Sequence, residues 1–573
     1  MAAAALAVSG GVCAARANAE ENKTSAAVNA LFAEYAKAGS PGCALGVYRD
    51  GKIIYTKGYG LANIEENVAI TPQSVFDIGS TSKQFTAASI LLLEKQGKLS
   101  INDDIRKYIP ELPDYGQKIT ILNLLNHTSG LRDYLVLMEL AGINTDSVTT
   151  DDDALQLIAR QKALNFAPGS DWLYSNTGFF LLSVIVKRVS GKTLREFATE
   201  NIFTPLGMTH TQYRDDHTSL ISNRAMAYDA NEKHDGFTLD VSYFEQTGDG
   251  AVHTSVEDLI KWDENFYSAR IGGKEFLAEL QEHGKLNSGK VLDYAKGLFL
   301  IDYRGLPTVS HGGAWGGYRA ELLRFPEQHF SVACLCNLGN ANPSKRAHDV
   351  ADIYLSSLMK PVERVGNGAG GSAAAGISLK DEQLQVLAGT YRDVKGTLAR
   401  VFVRNHRLMG ELFGQRVELR ATSSTEFVPT SLPVDVKLVF EPGSGGTPKK
   451  MRIAGEEEVA GVYEGIPDYA PTATELAAYA GDFASEELGV SFRLGMVENK
   501  LKLVSMLDPA GFRRSGGIPL NELRPALMDE FEISGTPVTL HFKGDASHTV
   551  TGFTLDAGRT RGMIFTRRDR EAK

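Results

Sequence analysis

A stretch rich in glycine, alanine and serine divides the chain into two regions with different secondary-structure patterns. It runs from Val365 to Gly376, and a segment of this composition cannot bury a hydrophobic core. We therefore predict a flexible linker over residues 361–378, with a domain boundary there and few contacts across it. The chain has 573 residues, which is enough for roughly two to four domains of ordinary size.

The region before the linker, residues 26–360, mixes strand-like runs with long helical patterns. Ala44–Tyr48 and Ile53–Tyr55 are apolar runs joined by Asp50-Gly51, a dipeptide typical of a tight hairpin turn. Gln84–Gln96 and Phe179–Val189 have the length and apolar content of buried helices. A mixed α/β domain is therefore expected.

The region after the linker consists of short β-rich runs separated by turn residues, and it contains a weak internal repeat. Leu387–Tyr391 resembles Tyr479–Phe483, and Val436–Phe440 resembles Val538–Phe542. We expect two copies of one all-β module, at residues 379–470 and 471–573. Each is about large enough for a small antiparallel barrel.

The N-terminal segment, residues 1–19, is an alanine-rich apolar run that ends in Ala17-Asn18-Ala19, an A-x-A pattern of the kind signal peptidase cuts. It predicts export, to a periplasm or the extracellular space. The alternative is an alanine-rich disordered tail. No later apolar run reaches the roughly 18 residues of a membrane span, so none is expected.

Charge and cysteine content exclude several classes of protein. With 60 Lys and Arg against 70 Asp and Glu, the net charge of −10 disfavours nucleic acid as a partner. The four cysteines contain no C-x-x-C pair, which argues against a zinc knuckle. Cys334 and Cys336 share one face of a predicted buried strand, Phe330–Asn337, where core packing is expected; a bond from one of them to Cys43 is the alternative.

The sharpest local signal is Phe76–Phe85, which leads directly into an apolar helical run. Gly79 lets the chain turn, Ser80 falls at the predicted helix start, and Lys83 lies three residues later on the same helical face. A serine becomes a nucleophile beside a base, and a lysine can serve if burial lowers its pKa. The alternative is a helix-capping serine followed by a solvated lysine.

Two further short patterns add polar groups that a cleft could use. Tyr174-x-Asn176 lies on a predicted turn before a helix, where a phenol and a carboxamide can project. His311-x-Gly313 begins a glycine-rich strand that allows the backbone to approach a ligand closely. Each pattern alone also fits a capped turn or a structural histidine.

In that order, Ser80-x-x-Lys83, Tyr174-x-Asn176 and His311-x-Gly313 resemble the three motifs of the serine β-lactamase and penicillin-recognising hydrolase superfamily, on its class C-like branch. Ile119–Leu131 and Gly248–Leu259 resemble segments usual in that branch. The resemblance covers residues 26–360. A catalytic domain followed by two β-barrel modules is similar in layout to the D-aminopeptidases.

The resemblance implies an α/β (α+β) catalytic domain, in which an antiparallel sheet and a helical lobe enclose the cleft. Ser80 would form an acyl-enzyme, while Lys83 and Tyr174 would share the general-base and general-acid work. Asn176 would hold the substrate amide, and the N–H groups of Ser80 and Ala314 would form an oxyanion hole. No metal or cofactor is expected.

The third motif departs from the commoner pattern, because His311 stands where many members carry lysine. His311 and Gly313 would bind substrate. A histidine with its unperturbed pKa of about 6.5 is largely neutral at pH 7, so His311 would hold a substrate carboxylate more weakly than a lysine would. This counts against a dedicated carboxypeptidase or β-lactamase and is compatible with an aminopeptidase, amidase or esterase.

The sequence therefore predicts a serine hydrolase that cleaves an amide or ester bond, in a peptide containing D-amino acids or in a small ester. Its partner would be a small-molecule or peptide substrate. The alternative is a non-catalytic protein on the same fold that binds or senses cell-wall peptides. Oligomeric state is left open by the sequence.

Overall fold

The computed structural model describes residues 22–144, 146–231, 235–361, 377–412, 415–430, 436–443, 449–454, 461–508, 518–547 and 549–568. The signal-like segment at residues 1–19 lies outside these ranges, and so do residues 362–376 of the predicted linker. Within the described ranges, no helix has both the length and the apolar character needed to cross a membrane.

The part of the chain before the linker contains a sheet and a lobe of helices. Its helices are α1 (22–31), α2 (Lys83–Lys95), α3 (Ile121–Leu125), α4 (Tyr134–Leu140), α5 (Asp151–Ala159), α6 (Asn176–Ser190), α7 (Leu194–Ala198), α8 (Thr204–Leu206), α9 (Val256–Ser268), α10 (Lys274–Leu280) and α11 (Pro343–Leu355). Its strands are β1 (Cys43–Arg49), β2 (Lys52–Tyr59), β3 (Leu61–Asn63), β4 (Val68–Ala69), β5 (Phe76–Asp77), β6 (Gln212–Tyr213), β7 (Tyr228–Ala230), β8 (Phe237–Leu239), β9 (Val252–Thr254), β10 (Phe299–Tyr303), β11 (Leu306–Trp315), β12 (Tyr318–Phe325) and β13 (Phe330–Cys336).

Six of these strands form an antiparallel sheet in the order β10-β11-β12-β13-β1-β2. The predicted hairpin joins β1 to β2, and Asp50 and Gly51 both have positive φ, at 50° and 69°, as this kind of turn requires. Side chains alternate along β1, so that Leu45 packs towards α1 and α11 while Tyr48 packs towards the helical lobe. The sheet is therefore covered on both faces.

Helix α2 is the centre of the helical lobe, and ten of its 13 residues are buried. It packs against α6, whose first eleven residues are buried as well. Both helices begin at predicted motif residues, so the core of the lobe fixes where those residues lie.

The part after the linker contains two β modules. Helices α12 (Asp381–Gln385) and α13 (Ala473–Ala477) each precede one module. The first module has strands β14 (Gly389–Asp393), β15 (Leu398–Arg404), β16 (Arg407–Leu412), β17 (Gln415–Ala421), β18 (Glu426–Pro429), β19 (Lys437–Glu441), β20 (Lys450–Ala454) and β21 (Gly461–Ile466). The second has β22 (Gly481–Ser485), β23 (Val490–Val497), β24 (Lys500–Leu507), β25 (Leu523–Leu527), β26 (Glu530–Ile533), β27 (Val538–Gly544), β28 (Val550–Ala557) and β29 (Thr560–Arg568).

The first module closes into an eight-stranded barrel, and the second is an eight-stranded antiparallel sheet that runs from β24 to β25. A bridge between Lys502 and Glu522 joins β24 to the segment before β25, so this sheet also curves round towards closure. The repeated sequences occupy matching places, since each module's first and sixth strands carry them. The predicted fold class is confirmed: a β-lactamase-like domain followed by two barrel-like β modules.

The cysteine prediction needs a correction. Cys336 forms a disulfide with Cys43, so the expectation that both strand cysteines serve only as packing thiols was wrong. Strands β1 and β13 are neighbours, and Cys43 lies directly opposite Cys336 in their register. Cys334 is a free, buried thiol on the same face, 3.8 Å from Cys336 between sulfur atoms.

The expectation of few contacts across the linker was also wrong. A buried salt bridge, Arg132 to Glu487, joins the helical lobe to the second β module at 2.7 Å. One cluster of buried apolar residues continues from the lobe into that module. The first module has its own separate core. The second module is therefore packed onto the catalytic region.

Candidate active site

Ser80 lies on a short 3₁₀ segment, Gly79–Ser82, that runs directly into α2. The Asp77 carboxylate accepts a hydrogen bond from the Gly79 N–H at 2.8 Å, and Gly79 has a φ of 48°. This turn places Ser80 in the wall of a cleft of about 600 Å³.

Lys83, one helical turn further on, is completely buried beneath Ser80. Its Nζ atom is 3.0 Å from Ser80 Oγ, 2.9 Å from Asn176 Oδ1 and 2.7 Å from the backbone oxygen of Asp249. The same atom lies 4.7 Å from the centre of the Tyr174 ring. The structure thus brings the first two predicted motifs together around one amine.

Tyr174 and Asn176 are held by the start of α6. The Asn176 N–H donates to the Asp133 carboxylate at 2.7 Å, which satisfies an otherwise unpaired group of the helix N-terminus. The N–H of Ser175 donates to His127 Nδ1 at 3.2 Å, and the His127 ring packs 4.2 Å from the Tyr174 ring, centre to centre. These contacts set the direction in which the phenol and the carboxamide project.

Strand β11 forms the opposite wall of the cleft and carries the third motif. It passes so close to the serine turn that a Cβ atom on Gly313 would lie 1.8 Å from the Ile78 oxygen. A Cβ atom on Gly79 would lie 2.6 Å from the Ala314 nitrogen. The glycines are therefore required for the approach of the strand to the nucleophile turn, and this approach brings the Ala314 nitrogen close to Gly79, the residue before Ser80.

His311 is buried and neutral. Its Nδ1 atom lies 2.6 Å from the oxygen of Gly312, which can only accept, so Nδ1 carries the proton and Nε2 accepts from the Tyr294 hydroxyl at 3.2 Å. Burial, together with the positive charge of Lys83, lowers the pKa of His311 to about 3. The third motif therefore supplies no cation at neutral pH.

The structure places all seven predicted site residues at this cleft. Lys83 lies directly below Ser80. The other six residues line the cleft: Ser80, Tyr174, Asn176, His311, Gly313 and Ala314.

Sequence reasoning missed Asp249, which lies buried beside Lys83. Its carboxylate accepts a hydrogen bond from the Tyr134 hydroxyl at 3.1 Å. Burial raises the pKa of Asp249 to about 7, although the charge of Lys83 acts in the opposite direction. The signal was present, since Asp249 belongs to Gly248–Leu259, a segment that resembles the family without carrying a motif.

Sequence reasoning also missed Arg559, which lies at the turn between β28 and β29 in the second β module. The β28–β29 hairpin reaches the cleft, where the Arg559 guanidinium carbon is 4.6 Å from the centre of the Tyr174 ring. The Arg559 backbone oxygen accepts from the Asp133 N–H at 3.3 Å and from the Asn165 side chain at 2.9 Å. No motif marks this residue in the sequence.

Two groups of side chains in the described chain could offer three ligands to a metal ion. One is the cysteine group Cys43, Cys334 and Cys336, and the other is Asp216, His217 and Glu245 on the surface. Two of the three cysteines are already joined by the disulfide. Neither group includes a residue that lines the cleft.

The β-lactamase family model matches residues 28–355, which is more than half of the chain. The chain belongs to the β-lactamase family. Penicillin-binding protein 4* of Bacillus subtilis is 30% identical over 411 residues, covering 68% of this chain and 88% of that protein. A D-aminopeptidase of Brucella anthropi is 28% identical over 298 residues, covering 52% of this chain and 56% of the relative. The chain thus spans little more than half the length of that D-aminopeptidase.

Solved structures agree on the fold. The octameric penicillin-binding protein homologue from Pyrococcus abyssi aligns with a TM-score of 0.55 at 23% identity, covering 77% of this chain and 99% of that one. The D-amino acid amidase from Ochrobactrum anthropi SV3, complexed with D-phenylalanine, aligns with a TM-score of 0.51 at 23% identity, covering 58% and 99%. The family match and the Bacillus subtilis relative place the chain among the serine hydrolases of the β-lactamase and penicillin-binding protein group.

Proposed function

We propose that this family member cleaves an amide or ester bond through an acyl-enzyme on Ser80. The observation that carries the proposal is the 3.0 Å contact between Lys83 Nζ and Ser80 Oγ, inside a cleft that can hold a substrate. An amine buried against a hydroxyl at the start of a helix is the arrangement that a lysine-activated nucleophile needs.

The other partners of Lys83 support its role as the base. Asn176 Oδ1 and the backbone oxygen of Asp249 can only accept hydrogen bonds, so they receive two of the amine's N–H bonds. When Lys83 gives up its proton, the lone pair that this leaves on Nζ faces Ser80 Oγ. The geometry favours transfer of the hydroxyl proton from Ser80 to Lys83.

The proposed cycle has two steps. Ser80 Oγ attacks the substrate carbonyl and gives up its proton to Lys83, while the N–H groups of Ser80 and Ala314 bind the oxyanion. Collapse of the tetrahedral intermediate breaks the bond to the leaving group, which takes a proton from the Lys83 and Tyr174 pair. Water, deprotonated by the same pair, then attacks the acyl carbon, and the carboxylic acid product leaves as Ser80 regains its proton.

We propose a peptide containing D-amino acids, or a small ester, as the substrate. Support comes from the D-aminopeptidase and penicillin-binding protein relatives. Asn176 would hold the substrate amide while it bonds Lys83.

We also propose that the protein works outside the cytoplasm. The Cys43 to Cys336 disulfide supports this, because such bonds persist mainly in oxidising compartments. The A-x-A pattern near Ala19 fits the same proposal.

Labelling and turnover together test the proposed function. A fluorophosphonate probe should label the protein at Ser80, with the modified peptide identified by mass spectrometry, and Ser80→Ala should not label. A hydrolysis panel of p-nitrophenyl esters, D- and L-amino-acid p-nitroanilides, D-Ala-D-Ala peptides and a chromogenic cephalosporin should show turnover of at least one class. A folded protein that neither labels nor hydrolyses any of them would instead support a protein that only binds cell-wall peptides.

A further inference from the structure

Arg559 places a positive charge from the second β module inside the catalytic cleft. Its guanidinium lies over the Tyr174 ring, and its side chain is half buried among the residues that line the cleft. An arginine keeps its charge at every physiological pH. The field of Arg559 reaches the site, since its charge contributes to lowering the pKa of the buried His127.

The β28–β29 hairpin that carries Arg559 is fixed to the catalytic region by several partly buried hydrogen bonds and, next to them, a buried salt bridge. The Arg132 guanidinium donates to the backbone oxygens of Arg561 and Gly562, each at 3.0 Å, and pairs with Glu487. The Asn165 carboxamide bonds the hairpin backbone at two places, donating to the Arg559 oxygen in the turn and accepting from the Arg561 N–H in β29 at 2.8 Å. The position of Arg559 is therefore set by the assembled protein and does not depend on a loose surface loop.

The same hairpin is tied to the residue that holds Asn176. The Asp133 N–H donates to the Arg559 oxygen, while the Asp133 carboxylate accepts from the Asn176 N–H. Asp133 thus contacts both Asn176 of the second motif and the hairpin that carries Arg559. This arrangement places the guanidinium next to the wall where a substrate would lie.

Neither His311 nor Lys83 is placed to hold a negatively charged group of a substrate, whereas the Arg559 guanidinium lies in the cleft. His311 is neutral, and Lys83 is buried below the serine with its hydrogen bonds directed to Ser80, Asn176 and Asp249. Acidic side chains also line the cleft, and two of them have hydrogen-bond partners there: Asp77 accepts from Gly79, and Asp249 accepts from Tyr134.

We propose that Arg559 selects substrates that carry a carboxylate. This arginine of the second β module would supply the positive charge that the third motif lacks. The inference rests on the proposed function, and it narrows the substrate to an amide or ester with a free carboxylate near the reacting bond. A planar guanidinium suits this task because it binds a carboxylate with two parallel hydrogen bonds. A purely structural Arg559 would stack on Tyr174 and affect every substrate equally.

Selectivity between two matched esters separates these roles. The substrates are p-nitrophenyl glutarate, which has a free carboxylate, and its methyl ester, which is neutral. For Arg559→Gln the ratio of kcat/KM for the two substrates should fall about tenfold, and for Arg559→Glu it should fall further, mainly through KM. Arg561→Gln is the matched control, since it removes an arginine from the same hairpin that does not line the cleft. It should leave the ratio unchanged.

A binding measurement decides the question independently of turnover. Monomethyl glutarate is titrated calorimetrically into Ser80→Ala protein, alone and combined with Arg559→Gln or Arg561→Gln. Arg559→Gln should raise the dissociation constant about tenfold, and Arg561→Gln should leave it unchanged. Absence of turnover and of Ser80 labelling would defeat the proposed function, yet this titration would still test Arg559. Equal binding with and without Arg559, no binding to the Arg559-containing protein, or an unchanged kcat/KM ratio would each overturn the inference.

Discussion

Arg132 and Glu487, 355 positions apart in the chain, form a salt bridge at 2.7 Å in which both side chains are almost inaccessible to solvent, at 1% and 3% exposure. Arg132 also donates to the backbone of the β28–β29 hairpin. One guanidinium therefore joins the helical lobe, the second β module and the hairpin that enters the cleft. A charge buried in this way is costly to leave without its partner.

Glu487→Gln should destabilise the protein strongly, because Arg132 stays buried after losing its carboxylate. We expect a loss of about 3 kcal/mol or more in the free energy of unfolding, measured by denaturant titration. The preference for carboxylate substrates should weaken as well, since the hairpin loses its anchor.

The adjacent residue provides the control for that substitution. Glu486 pairs with Lys162 at 2.6 Å, but the two side chains are 84% and 63% exposed. Glu486→Gln should therefore leave the free energy of unfolding almost unchanged, since water screens an exposed pair. Similar losses for the two variants would show that the buried pair does not hold the second module in place.

Ser80→Ala should abolish turnover and leave the fold intact. The substitution removes the nucleophile and one hydrogen bond to Lys83, so we expect at least a thousandfold loss of kcat/KM and a stability change of about 1 kcal/mol. Initial rates and thermal unfolding measure the two effects. Substantial turnover by the purified variant would remove Ser80 from the mechanism.

The sequence was sufficient to predict contacts between residues that are close together in the chain. Ser80 and Lys83 are three residues apart, so helical geometry alone predicts that they meet, and the structure has them in contact. The Asp50-Gly51 turn was predicted for the same reason, because the dipeptide supplies the positive φ angles itself.

The features that the sequence did not predict depend on long-range pairing. Cys43 meets Cys336 only because the first strand of the domain pairs with its last, and nothing local distinguishes Cys334 from Cys336 as the partner. Arg559 reaches Tyr174 only after the second β module docks on the helical lobe. Such contacts depend on domain packing, which composition and spacing do not encode.

The disulfide predicts a specific count of thiols. In the unreduced, denatured protein, Cys43 and Cys336 should be unreactive, and Cys334 should react with a thiol reagent. Removing the bond with Cys43→Ala and Cys336→Ala should lower the free energy of unfolding by about 2–5 kcal/mol. Cys334→Ala, the matched change at a free buried thiol, should have a smaller effect. A linked peptide containing Cys334 in place of Cys336 would contradict the pairing.

A chain ending at Lys360 tests the predicted domain boundary. The six-stranded sheet and helical lobe lie wholly before that point, so we expect a folded protein that a fluorophosphonate still labels at Ser80. Its thermal stability should fall, because the apolar surface under the second module becomes exposed. Its preference for carboxylate esters should disappear with Arg559. Failure of the shortened chain to fold would make the second module part of the catalytic core.

Asp249 predicts how stability depends on pH. Burial raises the pKa of this carboxyl from 3.8 to about 7, so between those values the folded protein binds a proton that the unfolded chain has released. The group therefore contributes its stability fully below pH 3.8, and that contribution is lost as pH rises through 7. Asp249→Asn, whose carboxamide oxygen can still accept from Tyr134, lacks this titration. The unfolding free energy of the wild type minus that of the variant should thus decrease by a few kcal/mol between pH 4 and 8. Denaturant titrations at a series of pH values measure the difference. A constant or rising difference would show that the Asp249 carboxyl is ionised throughout and that Lys83, rather than burial, controls it.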